Sequence, residues 1–114
     1  MAKAYNMLIG GKWVNGKGRM EVRNPYDGQV LGTVPIATKG EVEAAIDSAQ
    51  RAFQTFSQMP AHQRSKILEN TSNLLNERKR EVAETLSKES GKPIRDATGE
   101  VSRAVQTFKF AAEE

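Results

Sequence analysis

Apolar residues recur at every second position in the first third of this chain, then at every third or fourth position to its end. In the first third, "MLIGGKWV" places two short apolar runs around Gly10-Gly11, a pair suited to the positive φ angles of a tight hairpin turn. "RMEVR" alternates and reads as a further strand. "RNPYDGQ" reads as a turn in which Pro25 fixes φ, Asp27 bonds back to the backbone and Gly28 takes a left-handed conformation. "QVLGTVPI" is rich in β-branched residues and ends near Pro35, which suits a strand end or a sheet edge.

The period then changes to 3.6. Thr38 and Glu41 form a T-x-x-E capping box, and Val42, Ala45, Ile46, Ala49, Phe53 and Phe56 follow at helical spacing. Pro60 suits the first turn of a second helix, with Ile67, Leu68, Thr71, Leu74 and Leu75 as its stripe. A third helix carries Val82, Ala83 and Leu86 and stops at "SGKP", where Gly91 and Pro93 end it. The fourth runs from about Ile94 through Ala97, Val101, Ala104, Val105 and Phe108. Core packing is the expected role of Phe53, Phe56 and Phe108, whereas Phe110 falls off the stripe of the fourth helix. After "FKFAA" come Glu113 and Glu114, with neither Gly nor Pro to close the helix. Two carboxylates at a helix C-terminus oppose its dipole by roughly 0.3–1 kcal/mol each. The pattern predicts a chain cut inside a helix, although a frayed natural terminus leaves the same letters.

Composition adds limits. Hydrophobic residues make up 38% and charged ones 27%, as in a folded globular chain and unlike a disordered one. Seventeen basic and fourteen acidic residues leave a net charge of +3, with the signs interspersed. A nucleic-acid surface would show a basic stripe with aromatic interleaving, and the densest basic run, "ERKR" from Glu77 to Arg80, sits where two helices meet. The predicted partners therefore include no nucleic acid. The N-terminal apolar run is broken by Gly10, Gly11 and Lys12, so neither a signal-peptide core nor a membrane span is predicted. With no cysteine, the chain has no thiolate nucleophile, thiolate metal site or disulfide, and a cytoplasmic location is expected.

Little else points to chemistry. His62 is the sole histidine and reads as an exposed residue of the second helix, without a second imidazole or thiolate for a metal site. A phosphate loop needs a strand before it and a helix N-terminus after it, whereas "GGKWVNGKG" is flanked by strands. "SGKP" lacks the upstream glycine and carries Pro93 in place of a hydroxyl residue, so it reads as a helix stop.

In combination, these pieces resemble the N-terminal part of the NAD(P)-dependent aldehyde dehydrogenase superfamily. "LIGGKWVNG" is similar to the family's opening hairpin, and "VRNPYDGQVLGTVPIAT" to its NP-x-x-G-x-x-(I/L)-x-x-V-P stretch. "EVEAAIDSAQRAF" and the tract from Arg64 to Leu75 resemble the two helices that follow, and "ETLSKESGKP" the family's E-x-GKP stop. "GEVSRAVQTFKFAAEE" resembles a helix that continues past this point in the family, and "FKFAAEE" is similar to the branch acting on lactaldehyde, glyceraldehyde phosphate or phosphonoacetaldehyde. The six pieces stand in the family's order from Leu8 to Glu114.

The resemblance implies an α/β, Rossmann-like parent fold. This segment supplies antiparallel strands over residues 1–37 and four helices over 38–114, both within one incomplete NAD(P)-binding domain. It implies oxidation of an aldehyde to a carboxylic acid through a Cys thiohemiacetal, with hydride passing to NAD or NADP. No catalytic or cofactor-binding residue of the family has a match here, so the segment alone is expected to be inactive and to bind no cofactor. Its expected partners are the remainder of the dehydrogenase chain and further copies in a homo-oligomer. Some members hold a structural monovalent cation through backbone carbonyls before the NP pair and an acidic residue early in the last helix. Those positions correspond to Val22, Arg23 and Glu100. A free-standing interaction or structural protein derived from such an enzyme is the alternative expectation.

Overall fold

The computed structural model describes residues 2–114, which form short strands followed by four helices, an α/β arrangement. The strands are β1 (Lys3–Ala4), β2 (Met7–Ile9), β3 (Lys12–Val14), β4 (Gly18–Arg23) and β5 (Val30–Ile36). The helices are α1 (Lys39–Phe56), α2 (Ala61–Glu77), α3 (Lys79–Ser90) and α4 (Ile94–Glu113). The chain divides into two compact units, the first ending at Gln58 and the second running from Met59 to Glu114. The first unit thus takes in α1 as well as the strands.

In the first unit, β2 and β3 pair antiparallel with Leu8 opposite Trp13. Gly10 and Gly11 turn the hairpin at φ of 59° and 76°, a region that side chains with a Cβ rarely enter. β4 and β5 form the expected antiparallel pair, from Gly18 opposite Ile36 to Arg23 opposite Val30, with a register shift between Val22 and Arg23. Their connection is closed by the Gly28 amide donating to the Asn24 carbonyl at 2.8 Å and the Gln29 amide donating to the Asp27 side chain at 3.0 Å. β1 is the departure from the sequence expectation. It pairs with β5, and in parallel, so the sheet order is β1-β5-β4. Two residues are too few to show alternation, and a parallel partner distant in sequence leaves no hairpin signal.

The capping box forms as read. The Glu41 amide donates to Thr38 Oγ1 at 3.2 Å, and the Thr38 amide donates to Glu41 Oε2 at 2.8 Å. The stripe of α1, however, is not core. Phe53 is 66% exposed, Phe56 44% and Ile46 61%, and no residue of α1 is buried. Core packing was the expected role of Phe53 and Phe56, and the structure overturns it. Amphipathic spacing marks the side of a helix that seeks cover without specifying the cover.

In the second unit, α2 and α3 pack on α4. Ala83, Ala97 and Val101 are its buried centre, wrapped by Leu75, Val82 and Leu86. The line of α2 that meets α4 differs from the predicted stripe. Ile67 and Leu74 are exposed, while Ser72 is buried at 4% exposure and donates to the Val105 carbonyl at 2.9 Å. Ser65 repeats the arrangement with the Ala112 carbonyl at 2.5 Å. A hydroxyl can be buried at a helix contact when it is hydrogen-bonded, and its small volume lets the backbones approach. Phe108 is half-buried and Phe110 exposed. The "ERKR" run is a one-residue break at Arg78, with Arg78 paired to Glu81 and Arg80 to Glu84.

Candidate functional site

The positions singled out for a cation fall in different units. In the first, Val22 and Arg23 end β4 at the register shift, where Val22 lies opposite Gly32 and Arg23 opposite Val30, so that Leu31 of β5 is the extra residue. The Arg23 side chain folds back along its own segment, donating to the Gly28 carbonyl at 2.9 Å and pairing with Glu21.

In the second unit, Glu100 lies in the second turn of α4 and is 36% exposed at its side chain. Its Oε1 accepts a hydrogen bond from Lys92 Nζ, and Arg103 stands 4.0 Å away one turn on. Lys92 follows Gly91, which caps α3 in the left-handed conformation, and its carbonyl accepts from Ser87 Oγ at 2.7 Å. The α3–α4 connection therefore presents the ammonium to the carboxylate. The Glu100 carboxyl is held below its ordinary range by the Lys92 hydrogen bond, against the opposing effect of partial burial, with further help from the charges of Lys92 and Arg103. Glu100 is ionised at neutral pH, and a cation on Oε1 would compete with the Lys92 ammonium already there. Among the described residues no three His, Cys, Asp or Glu side chains cluster as a metal site.

The remaining candidates stay apart. His62 is exposed in the first turn of α2. Between α2 and α4 runs a cleft of about 680 Å³ lined by Ser65, Glu69, Asn73, Asn76, Gln106 and Lys109. Apart from Ser65 these side chains are exposed. No nucleophile–base pair is assembled in it, so it has the form of an open polar seam between two helices. Nor does the glycine hairpin fit a dinucleotide. Gly10 and Gly11 lie between two strands, and β4 rather than a helix N-terminus follows the hairpin. Sequence reasoning missed the Lys92–Glu100 pair, eight residues apart across a helix stop. Only the αL turn at Gly91 brings the two together.

Comparison with known proteins matches this arrangement closely. The model of the aldehyde dehydrogenase family matches residues 13–114. Malonate-semialdehyde dehydrogenase 1 of Geobacillus kaustophilus is 41% identical over 106 residues, covering 91% of this chain and 22% of that protein. Among solved structures, aldehyde dehydrogenase 21 from Physcomitrella patens, in complex with the reaction product succinate, superposes with a TM-score of 0.95 at 41% identity. That match covers 99% of this chain and 24% of the other. NADP-dependent glyceraldehyde-3-phosphate dehydrogenase from Bacillus halodurans, complexed with NADP, gives 0.94 at 33% identity, covering 96% and 24%. The chain thus spans about a quarter of the length of the relatives it matches.

Proposed function

Because the chain belongs to the aldehyde dehydrogenase family, we propose that it serves as the N-terminal portion of an NAD(P)+-dependent enzyme oxidising an aldehyde to a carboxylic acid. The family match over residues 13–114 carries this reading, and the superposition on aldehyde dehydrogenase 21 over 99% of the chain supports it. In the reaction the cofactor supplies the hydride acceptor. The chain's own residues are read as taking no chemical step, and without a Cys the chain carries no thiol nucleophile. Their part is architectural. Residues 1–37 and 38–114 are read as the strand and helical parts of the parent's NAD(P)-binding domain, with the uncovered stripe of α1 facing the rest of that domain. We extend the reading to a cytoplasmic homo-oligomer using NAD or NADP. A structural cation at Val22, Arg23 and Glu100 would require Glu100 to exchange the Lys92 ammonium for the ion.

Reassembly tests the proposal. The chain is mixed with a malonate-semialdehyde dehydrogenase lacking the matched segment, and NAD(P)H formation is followed with malonate semialdehyde, lactaldehyde and glyceraldehyde 3-phosphate. The expected result is no turnover by either piece and turnover by the mixture. Activity of the chain alone would overturn the assignment of the chemistry to the rest of the enzyme. Failure of the mixture, with the chain a stable monomer, would favour the alternative of a free-standing interaction protein.

A further inference from the structure

β1 pairs with β5 through only two residues, Lys3 opposite Gly32 and Ala4 opposite Thr33. A two-residue strand at a sheet edge is a weak attachment by itself. Two separate features converge on it. The first is Arg19, a half-buried residue of β4. Its Nε donates to Thr33 Oγ1 at 3.0 Å, and its Nη1 to the Asn15 carbonyl at 3.3 Å and Asn15 Oδ1 at 3.1 Å. Its Nη2 donates to the Thr33 carbonyl at 3.1 Å and to the Tyr5 carbonyl. All these acceptors are neutral oxygens, from three segments far apart in sequence. The Thr33 carbonyl also accepts from the Tyr5 amide at 2.9 Å, so the guanidinium and the Tyr5 amide share an acceptor. The second feature is Gly32. A Cβ there would stand 2.8 Å from the Lys3 carbonyl oxygen and 2.9 Å from the Tyr5 ring. Only a residue without a side chain lets β1 come this close.

We propose that residues 3–5 form a detachable strap on the β5 edge, latched by the guanidinium of Arg19 and seated by the missing side chain at Gly32. The fork of Arg19 is the working part, because its fixed, planar donors reach Tyr5, Asn15 and Thr33 together. A lysine keeps the charge but has one nitrogen on a flexible stem and cannot span all three. With the latch open, the outer edge of β5 presents unpaired N–H and C=O groups.

Amide hydrogen exchange of the chain, read residue by residue by NMR, tests this. The reporter is the Tyr5 amide, and the β4–β5 ladder amides in the same sample are the reference. Arg19→Met and Arg19→Lys are each expected to speed exchange at Tyr5 by about tenfold to a hundredfold relative to the ladder, the scale of a lost charged hydrogen bond. Gly32→Ala is expected to do the same by pushing β1 away. Combining it with Arg19→Met should add little, because the strap is already off. An Arg19→Lys chain that protects Tyr5 as well as the parent would overturn the latch, since charge alone would then suffice. Equal loss at Tyr5 and the ladder in every variant would also overturn it, as β1 would then be part of the sheet's single cooperative unit. So would a parent chain with no protection at the ladder, which would leave no platform to strap.

Discussion

Glu100 and Lys92 show how one contact between neighbouring elements sets the chemistry of a side chain. The folded chain holds the Glu100 carboxyl below its ordinary range, chiefly through the Lys92 hydrogen bond. Ionised Glu100 therefore contributes stability that is fully present above the ordinary carboxylate range and is lost as pH falls through the lower, folded value. Lys92→Met should return the Glu100 titration toward the ordinary range in a carboxyl-detected NMR titration. The same substitution should flatten the acid limb of a stability–pH curve, as should Glu100→Gln. Ser72 sits at the opposite extreme of exposure, buried against the Val105 carbonyl. Ser72→Ala should cost about 0.5–1.5 kcal/mol, the net worth of one hydrogen bond. Ser72→Leu should cost about 1–3 kcal/mol or more by overpacking the α2–α4 contact, measurable by urea denaturation. Neither role is visible in the letters, since a serine on a helix more often faces water.

At the scale of elements, what was legible had local causes. The capping box at Thr38 and Glu41, the Gly10-Gly11 turn and the stop at Gly91 each depend on residues within a few positions of one another. Thr38→Ala should cost about 1 kcal/mol and fray the first turn of α1, detectable as lost exchange protection there. The periodic stripe of α4 was also legible, because Ala97, Val101 and Val105 recur at helical spacing and are all buried. β1 and the serine line of α2 were not. A two-residue strand has no period, and the serines act only because α4 carbonyls lie opposite them. The stripe of α1 is the instructive intermediate: its helix was read correctly and its burial was not.

At the scale of the whole molecule, the largest buried side chains are small. The core of the second unit centres on two alanines and a valine, while Ile46, Phe53 and Phe56 of α1 lie exposed. Apolar surface of that kind drives association in water. The chain by itself should self-associate with rising concentration in sedimentation velocity. Ile46→Glu with Phe53→Glu should shift it toward monomer and also abolish reassembly with the remainder of a relative. A monomeric parent chain with a sharp, cooperative melt would contradict this expectation. What the sequence determined by itself was everything carried by near neighbours: the helices and their caps, the hairpin turn, the absence of a thiol, and the ordered motifs shared with the aldehyde dehydrogenase family. Only the tertiary structure decided which apolar faces are covered, that β1 joins β5 in parallel under Arg19, and that Lys92 meets Glu100. Those outcomes depend on pairs of residues distant along the chain, whose meeting is set by packing and register and leaves no mark on local spacing.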